Sequence, residues 1–360
     1  MSFAVDETAA GLDPIRPPRL SQAGPTLGVV DVPAPSSHDG LTAVAARLAS
    51  LLLAGDRTVS AGETTELDFE AELVARPLGG PVAPAETWAV DGGQALVADA
   101  RCLQVYLTRA ARVCFRGGAC VAEDDAPARA HLLGADHGRP AALAAGLDPG
   151  DGVAVDVNLL RDWDEWQALR TCVDDAAAGT LVLVDGDLVP DWRLEASLAG
   201  RIFAAAAARG ITVAGVTKHS SLACGGAPLV ARLESEAARL LGERTRWWAP
   251  VARTRAGSRW PELQVVVARL DPDARYAFRV DLPAATDPEW ALRLVAAVAD
   301  DAGFPGYPYP LSVADRLAAC PGWLRHEAAA SLDEALERAG VPPEVRERAF
   351  DDRHRLMERA

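Results

Sequence analysis

The stretch WAVDGGQALVADA (residues 88–100) contains an apolar strand pattern that breaks at Asp91, where an Asp-Gly-Gly turn is predicted, and then resumes. A second stretch, TLVLVDGDL (residues 180–188), is a continuous apolar run that ends on Asp185, again followed by glycine. Continuous apolar runs of this kind are typical of strands buried on both faces of a sheet. Two apolar strands therefore each end on an Asp-Gly pair.

The elements predicted around these strands follow one another in the order of an RNase H-like sheet. In chain order they are a three-strand meander within 88–118, loops with short helices over 120–152, a helix over 157–179, the strand at 180–186, a helix over 192–210, a strand at 211–218 and a hairpin within 263–282. A strand–helix–strand unit is parallel and right-handed by default, so the two Asp-Gly strands are expected to pair. The pattern predicts an α/β fold, an RNase H-like mixed sheet flanked by helices, with extra N- and C-terminal helices.

The chain is predicted to hold one domain after an N-terminal arm. Residues 1–40 are rich in proline and have no helical period, so they are expected to form an irregular arm. An apolar helix over 41–55 opens the domain, which covers 41–360. Its RNase H-like core lies within about 85–320, and a helical region over 321–360 follows.

Composition excludes several classes of protein. The net charge of −15 argues against a protein that coats nucleic acid through bulk charge, although a local basic groove remains compatible with it. None of the six cysteines forms a Cys-x-x-Cys pair, so a structural zinc site is not expected. No run approaches the roughly 18 apolar residues of a membrane span, and the N-terminus lacks a secretory pattern. A cytoplasmic protein without membrane attachment is the expectation.

The two aspartates are predicted to form part of a metal site. The carboxyl ends of adjacent parallel strands meet at one sheet edge, so Asp91 and Asp185 are expected within reach of common ions. Two close carboxylates repel each other unless a cation lies between them, and oxygen ligands suit Mg²⁺ or Mn²⁺. Glycine after each aspartate would permit a sharp turn and close approach of a phosphate backbone. Alternatively, Asp-Gly is a frequent turn pair without further meaning.

A third carboxylate is expected from the helix before the second strand. Asp162 lies on the apolar stripe of that helix, Glu165 lies on its flank, and Asp164 is expected to point elsewhere into solvent. Periodicity alone favours Asp162. An acid near a helix N-terminus is also favoured by the helix dipole without any catalytic role.

The segment GERTRWWAPVARTRAGSRW (242–260) is the one dense basic stretch of the sequence. Arginines can follow phosphates while tryptophans stack on unpaired bases, which makes this segment a candidate DNA-binding surface. The alternative is that the tryptophans are core anchors and the arginines are solvated. The candidate DNA-binding residues of the segment are Arg244, Arg246, Trp247, Arg253 and Arg255.

Ordered motifs over about residues 85–320 resemble the NurA nucleases, which work with the hexameric DNA translocase HerA. The motifs are VDGG (90–93), LVDGDL (183–188), GVTKHS (215–220), FRVDLP (278–283) and YPYPLSVADRLA (307–318). The last is the most specific, because Tyr-Pro-Tyr-Pro-Leu is rare by chance.

The resemblance implies roles for particular residues. The family's helix acid is a glutamate about twenty residues before the second Asp-Gly, which selects Glu165 over Asp162. Asp315 stands where the family has a histidine, although a capping box with Ser312 explains it equally well. Lys218, at the end of the next strand, is expected to contact phosphate. The implied metal ligands are Asp91, Glu165 and Asp185, and the implied catalytic group is these three together with Asp315.

Two further departures from the family pattern are visible. Gly93 and Asp187 each stand where the family tends to have serine. The aromatic loop around Phe304, Tyr307 and Tyr309 is a candidate docking surface for a partner, or else a part of the core.

The activity implied by the resemblance is hydrolysis of DNA with two Mn²⁺ or Mg²⁺ ions. The family's single-strand endonuclease and 5′→3′ exonuclease activities serve end resection in recombinational repair, in a homodimer whose channel receives DNA from a HerA-like ring. The sequence has no Gly-x-x-x-x-Gly-Lys-Ser/Thr loop, so the ATPase would be another protein. A non-catalytic DNA-end adaptor with the same fold and partner is the alternative, and an RNase H-like enzyme acting on RNA is a third possibility.

Overall fold

The computed structural model describes residues 37–53, 59–60 and 66–350 of the chain. The chain separates into two compact units between Ala49 and Ser50, and the sheet described below belongs to the second unit.

The first helix, α1, spans Ser37–Leu52. The sequence predicts this helix over 41–55, so the observed helix begins inside the predicted arm. The rest of the arm and the predicted helix end at Gly55 lie outside the described residues. The expected additional N-terminal helix is therefore present.

Strands and helices alternate along the second unit. The strands of the described residues are β1 (Val59–Ser60), β2 (Leu67–Phe69), β3 (Arg76–Pro77), β4 (Thr87–Asp99), β5 (Gln104–Arg116), β6 (Ala119–Asp125), β7 (Arg129–Leu133), β8 (Leu181–Asp185), β9 (Thr212–Thr217), β10 (Ala223–Cys224), β11 (Ala227–Pro228), β12 (Trp247–Thr254), β13 (Leu263–Arg269) and β14 (Phe278–Pro283). The helices after α1 are α2 (Gly138–Ala144), α3 (Val157–Asp175), α4 (Leu198–Ala208), α5 (Leu229–Leu241), α6 (Pro288–Ala296), α7 (Tyr309–Ala318), α8 (Gly322–Arg338) and α9 (Pro343–Phe350).

Eleven strands of the described residues form one mixed sheet. Its order is β2-β12-β13-β14-β9-β8-β4-β5-β6, with β3 beside β12 and β7 beside β5. Strands β4, β8 and β9 are parallel to one another, and their other neighbours are antiparallel. The meander β4–β5–β6 followed by the parallel strands β8 and β9 is the predicted RNase H-like arrangement, which is therefore confirmed.

Helices cover both faces of the central strands. Alternation along β4 and β8 sends Val90 and Val182 into a core with α3 and α4, whereas Ala89 and Leu183 enter a second core with α6 and α7. Every residue from Leu181 to Val184 is buried, as expected for a strand covered on both sides. The carboxyl end of β8 thus emerges between two helical layers.

Three elements differ from the sequence expectation. Strand β4 does not break at its Asp-Gly-Gly but pairs with β5 along its whole length. The region predicted as loops over 120–152 contains β6 and β7, whose polar edge-strand sequences lack an apolar pattern. The basic segment 242–260 contains β12, which extends the sheet beyond the predicted hairpin of β13 and β14.

Candidate active site

Two aspartates meet where β8 ends beside β4. The parallel register aligns Val90 with Val184, so Asp91 and Asp185 follow on neighbouring strands at the same level. Both side chains leave the sheet on the face that α7 covers, because residues two apart in a strand share a face and Ala89 and Leu183 pack there. The predicted pairing of the two carboxylates is present in the structure.

A third aspartate joins them from α7. Asp91, Asp185 and Asp315 each offer a carboxylate oxygen, and these oxygens all lie within 4.8 Å of one another. These three residues are called the acid cluster below. Asp91 and Asp185 are largely buried, whereas the Asp315 side chain is 59% exposed. The cluster therefore opens to solvent on the side of α7.

One lysine and one tyrosine border the acid cluster. Lys218, directly after β9, places Nζ 2.5 Å from Asp185 Oδ2 and 3.3 Å from Asp315 Oδ1. The same Nζ lies 5.2 Å from the centre of the Tyr307 ring. The Tyr307 hydroxyl is buried and forms no close hydrogen bond among the described residues, although its interaction with the Asp185 carboxylate works to lower the pKa of that acid. The sequence predicted Lys218 at the site but gave Tyr307 only a place in the aromatic loop.

The acid cluster carries more negative charge than its surroundings neutralise. Burial, together with the neighbouring Asp185 carboxylate, raises the pKa of Asp91 to about 8. Burial also raises the pKa of Asp185, although the hydrogen bond from Lys218 works in the opposite direction. Burial and the nearby Asp185 raise the pKa of the Tyr307 hydroxyl as well, so that hydroxyl stays protonated and can act as a donor. A cation at the cluster would remove the repulsion that raises the pKa of Asp91.

Glu165 approaches the site from the opposite face of the sheet. A Cβ built on Gly92 would lie 2.2 Å from Glu165 Oε1, so only glycine at that position leaves room for the carboxylate. Glu165 is not one of the three acids whose oxygens lie within 4.8 Å of one another. Burial raises its pKa well above the usual value, and the charges of Asp162, Asp91 and Asp185 act in the same direction. The role of Gly92 is thus to accommodate an acid, rather than to turn the chain as the sequence suggested.

The other two acids of α3 have structural partners. Asp162 Oδ2 accepts a hydrogen bond of 2.7 Å from the backbone N–H of Asp191, and burial raises its pKa to about 6. Asp164, expected in solvent, is buried: its carboxylate accepts hydrogen bonds from Thr108 Oγ1 at 2.9 Å and Arg129 Nη2 at 2.6 Å. The expectation for Asp164 is wrong because the helix stripe that faces the sheet is wider than the run of apolar residues indicates.

The glycine that follows Gly92 has a different packing reason. A Cβ on Gly93 would lie 2.1 Å from the carbonyl oxygen of Ala318, at the end of α7. Serine, which the NurA pattern favours here, would therefore push α7 and its Asp315 away from β4. Glycine lets the helix that carries Asp315 pack directly on the strand that carries Asp91.

The loop after Asp185 is held by a buried ion pair. Arg279 donates two hydrogen bonds of 2.8 Å to Asp281, whose side chain is fully buried. Asp281 Oδ2 also accepts a 3.4 Å hydrogen bond from the backbone N–H of Leu188, and the Asp187 carboxylate lies 4.0 Å from Arg279. This arrangement gives Asp187 and the FRVDLP motif a positioning role that the sequence did not predict.

Helix α7 does not begin in the way the capping-box alternative requires. The helix starts at Tyr309 with Pro308 as its N-cap residue, and no side chain caps it. Ser312 instead donates its hydroxyl to Asp301. Asp315 therefore points to Lys218 rather than back to Ser312, and the capping-box interpretation is wrong.

The basic segment does not form an open DNA surface of the kind expected. Trp247 is only 1% exposed in the core, so the expectation that it stacks on bases is wrong. Its four candidate arginines each pair with an acid: Arg244 with Asp273, Arg246 with Asp271, Arg253 with Glu70 and Arg255 with Asp68. The segment enters the sheet as β12, so Arg246 and Arg255 lie at opposite ends of one strand.

The aromatic residues of the candidate docking loop point in separate directions. Tyr307 is buried beside the acid cluster. Phe304 packs on Tyr276, whereas Tyr309 contacts Phe115. The three rings therefore do not make one docking surface.

The residues of the acid cluster fit a divalent ion of the Mg²⁺ or Mn²⁺ type. All three donors are carboxylates, which these ions prefer, and their oxygens are close enough for one ion to bridge. The raised pKa of Asp91 indicates that a cation would balance the negative charge of the acid cluster.

Solved structures of known nucleases are similar to this one. The NurA nuclease from Sulfolobus solfataricus is similar over 84% of this chain and 95% of its own, with a TM-score of 0.51 and 14% identical residues. A second NurA structure covers 67% of this chain and 85% of its own (TM-score 0.38, 9% identity), and human ENDOV covers 68% and 86% (TM-score 0.38, 13% identity). No protein-family model and no curated protein matches the sequence.

The architecture defines an RNase H-like α/β protein with aspartates at the carboxyl edge of two parallel strands. Its fold is the fold of the Sulfolobus NurA nuclease, so the resemblance predicted from the motifs is confirmed in the fold. Within the described residues, no helix combines the length and apolar character needed to cross a membrane.

Proposed function

We propose that the protein is a metal-dependent nuclease of the NurA type that hydrolyses DNA phosphodiester bonds. The observation that carries the proposal is the acid cluster, in which oxygens of Asp91, Asp185 and Asp315 lie within 4.8 Å of one another. In a fold shared with a NurA nuclease, such a cluster is where a phosphate and its metal ions would bind.

The residues of the site divide the work between metal and phosphate. Asp91, Asp185 and Asp315 would hold one Mn²⁺ or Mg²⁺ ion. Glu165 would join a second ion with Asp91 only after its carboxylate turns from its place against Gly92 toward the end of the strand. Bound ions of this type polarise the phosphate and lower the pKa of a coordinated water. Lys218 would then exchange its carboxylate partners for a phosphate oxygen and stabilise the negative charge that develops there.

Tyr307 is a further contributor from this chain. Its hydroxyl is buried and protonated, and it interacts with the Asp185 carboxylate without a close hydrogen bond among the described residues. It would donate a hydrogen bond to a phosphate oxygen or to a water at the acid cluster. The hydroxyl requires no rearrangement to do so, because it is already fixed in the wall of the site.

The biological setting follows from the family resemblance. A homodimer would receive DNA from a HerA-like hexameric translocase and degrade single strands by endonuclease and 5′→3′ exonuclease steps, in end resection for recombinational repair. The net charge of −15 supports a need for such a partner, because the protein as a whole repels DNA and each candidate arginine has an acid beside it.

A non-catalytic DNA-end adaptor is the second candidate, and Lys218 is the observation that favours it. Its ammonium group already bridges Asp185 and Asp315, so a protein cation takes part of the place of a metal ion. In that case the fold and the translocase partner would be kept without cleavage.

A cleavage assay separates the two candidates. Purified protein is incubated with a 5′-labelled single DNA strand, and in parallel with an RNA strand, in Mn²⁺, in Mg²⁺ and in EDTA. A nuclease cuts DNA only with the metal, and Asp185→Asn stops cutting. Absence of cleavage by the wild-type protein in every metal, with or without a HerA-like ATPase, would support the adaptor instead. Preferential cutting of RNA would redirect the substrate assignment.

A further inference from the structure

A large cavity opens directly beside the acid cluster. Its volume is about 900 Å³, and Lys218, Tyr307 and Asp315 form the wall that it shares with the cluster. The other walls come from α5, the start of β14 and the loop before α7. Cavities of this size hold small organic ligands, and a nucleotide fits within the range.

Aromatic rings form one wall of this cavity. The rings of Tyr276 and Phe304 lie nearly parallel, at 18° with 5.8 Å between centroids, and Phe278 contacts Phe304 and Tyr307 behind them. Tyr276 and Phe304 line the cavity and are 41% and 43% exposed. The Arg275 guanidinium lies 5.2 Å from the centre of the Tyr276 ring, so a base would stack on the Phe304 side of this wall or displace Arg275. Exposed aromatic side chains bordering a phosphate site are the usual means of binding unpaired bases.

Polar groups lie on the remaining walls. His219 and Ser220 follow Lys218 along the cavity wall. The carboxyl group of Glu234, on α5, accepts a hydrogen bond from the backbone N–H of Ala277, directly before β14. A cavity with an aromatic wall, hydrogen-bonding groups and a cation at one end matches a nucleobase attached to a phosphate. A purely apolar insert from a partner protein would bury these polar groups away from water without adding hydrogen bonds to them.

We propose that this cavity binds the unpaired nucleobase next to the scissile phosphate, with the base stacked on the wall formed by Tyr276 and Phe304. The inference rests on the proposed nuclease function, since it assigns the phosphate to the acid cluster and Lys218. It adds that the substrate must present a base outside a duplex. Any of the four bases would fit, because each has a flat ring that can stack on an aromatic side chain.

Binding without cleavage provides the first test. A single DNA strand containing one 2-aminopurine is titrated with protein in EDTA and, in a parallel series, in Ca²⁺, and its fluorescence reports both stacking and affinity. Tyr276→Ala and Phe304→Ala should each weaken binding about fivefold or more, the loss expected for one base–aromatic stack, and restore the fluorescence. Tyr276→Phe keeps the ring and should bind as the wild type does.

Tyr309→Ala is the matched control. Tyr309 is a tyrosine of equal exposure, 43%, but its ring contacts Phe115 and lies outside the cavity walls. If Tyr276→Ala, Phe304→Ala and Tyr309→Ala all bind the strand as tightly as the wild type, the inference is overturned.

Cleavage of strands with a single abasic site provides the second test. An abasic residue at one fixed position beside the cut should slow wild-type cleavage about fivefold or more, whereas Tyr276→Ala should not discriminate between the two strands. The two tests separate failures. If Tyr276→Ala loses stacking but neither the wild type nor the variant cleaves DNA, the nuclease proposal is contradicted and the cavity assignment is supported. Asp185-dependent cleavage with equal rates for both strands contradicts the cavity assignment alone.

Discussion

Buried aspartates lie on opposite faces of the same sheet, and their surroundings differ. In the acid cluster, one lysine contacts two of the three aspartates, and the pKa of the third, Asp91, rises to about 8. On the face covered by α3, a single aspartate, Asp164, accepts hydrogen bonds from a threonine and an arginine. The second group is called the Asp164 network below.

The Asp164 network satisfies each of its members. Thr108 donates its one hydroxyl hydrogen to Asp164, so it must accept from Nε2–H of His131, 2.8 Å away. Burial lowers the pKa of His131, which is consistent with a neutral ring that fills this role. Burial raises the pKa of Asp164, and Arg129 and Thr108 offset only part of this increase.

The comparison distinguishes acids that hold the fold together from acids kept for a ligand. A fully hydrogen-bonded buried acid stabilises the protein as part of its scaffold, whereas removing it leaves its partners unsatisfied. Clustered acids that repel one another reduce stability and persist where function requires them. Substitutions in the two groups should therefore have opposite effects on activity and on stability.

The largest difference is expected in catalysis. Asp185→Asn should lower metal-dependent DNA cleavage by at least about 10³-fold, because it removes a ligand and a charge at the scissile phosphate. Asp164→Asn, an equally conservative change of a buried aspartate, should retain cleavage per folded molecule within about threefold, because it touches neither metal nor substrate. Rates are measured on a 5′-labelled strand after the folded fraction is determined by circular dichroism. Equal losses in both variants would contradict the distinction.

The next largest effect is on stability in the Asp164 network. Asp164→Ala should lower the free energy of unfolding by about 3 kcal/mol, because the buried Thr108 hydroxyl loses its acceptor, its hydrogen bond with His131 loses its fixed orientation, and Arg129 loses its ion pair. Urea denaturation measures the change. Arg129→Ala is the companion variant: it leaves the Asp164 carboxylate buried with only the Thr108 hydrogen bond, so it should also destabilise the protein. A change below about 1 kcal/mol for Asp164→Ala would mean that the network is not a stabilising element.

Sequence patterns predicted the elements whose signals are local. The apolar run of β8 and the periodicity of α3 located both, and the strand–helix–strand order predicted the pairing of β4 with β8. The meeting of Asp91 and Asp185 follows from that pairing. Placing Asp315 near them required the family resemblance, since α7 lies more than a hundred residues further along the chain.

The remaining features depend on contacts between distant segments. Gly92 and Gly93 looked like a turn, but they are extended and make room for Glu165 and for the end of α7. Trp247 looked like a stacking residue because an exposed and a buried tryptophan have the same local pattern. The solvent expectation for Asp164 failed because its partners, on β5 and β7, are distant in sequence.

A smaller effect of opposite sign is expected in the acid cluster. In EDTA at pH 7.5, Asp91→Asn should raise the free energy of unfolding by on the order of 2 kcal/mol, because the wild-type native state must keep Asp91 protonated at a pH where the unfolded chain ionises it. The folded pKa of Asp91, about 8, is above the unfolded value of 3.8, so the wild type loses stability as pH rises between these values. The gain should therefore shrink at pH 5, because that pH lies closer to the unfolded pKa and keeping Asp91 protonated costs less there. Urea denaturation at both pH values measures it, and a variant less stable than the wild type at pH 7.5 would contradict the repulsion.

The smallest effect is the stabilisation of the folded protein by the metal ion itself. Mn²⁺ at ten times its dissociation constant should raise the free energy of unfolding by about 1.4 kcal/mol, because the ion binds the assembled cluster and not the unfolded chain. Asp185→Asn should abolish the increase, whereas Asp164→Asn should retain it, since the Asp164 network offers its single carboxylate to Thr108 and Arg129. Thermal denaturation with Mn²⁺ and with EDTA measures the shift for all three proteins.

This measurement needs no DNA, so it tests metal binding even in an inactive adaptor. A wild-type protein that gains stability from Mn²⁺ but cuts no strand would support the metal site and contradict the nuclease proposal. Equal stabilisation of the wild type and Asp185→Asn would instead place the ion elsewhere and remove the basis for assigning the acid cluster to catalysis.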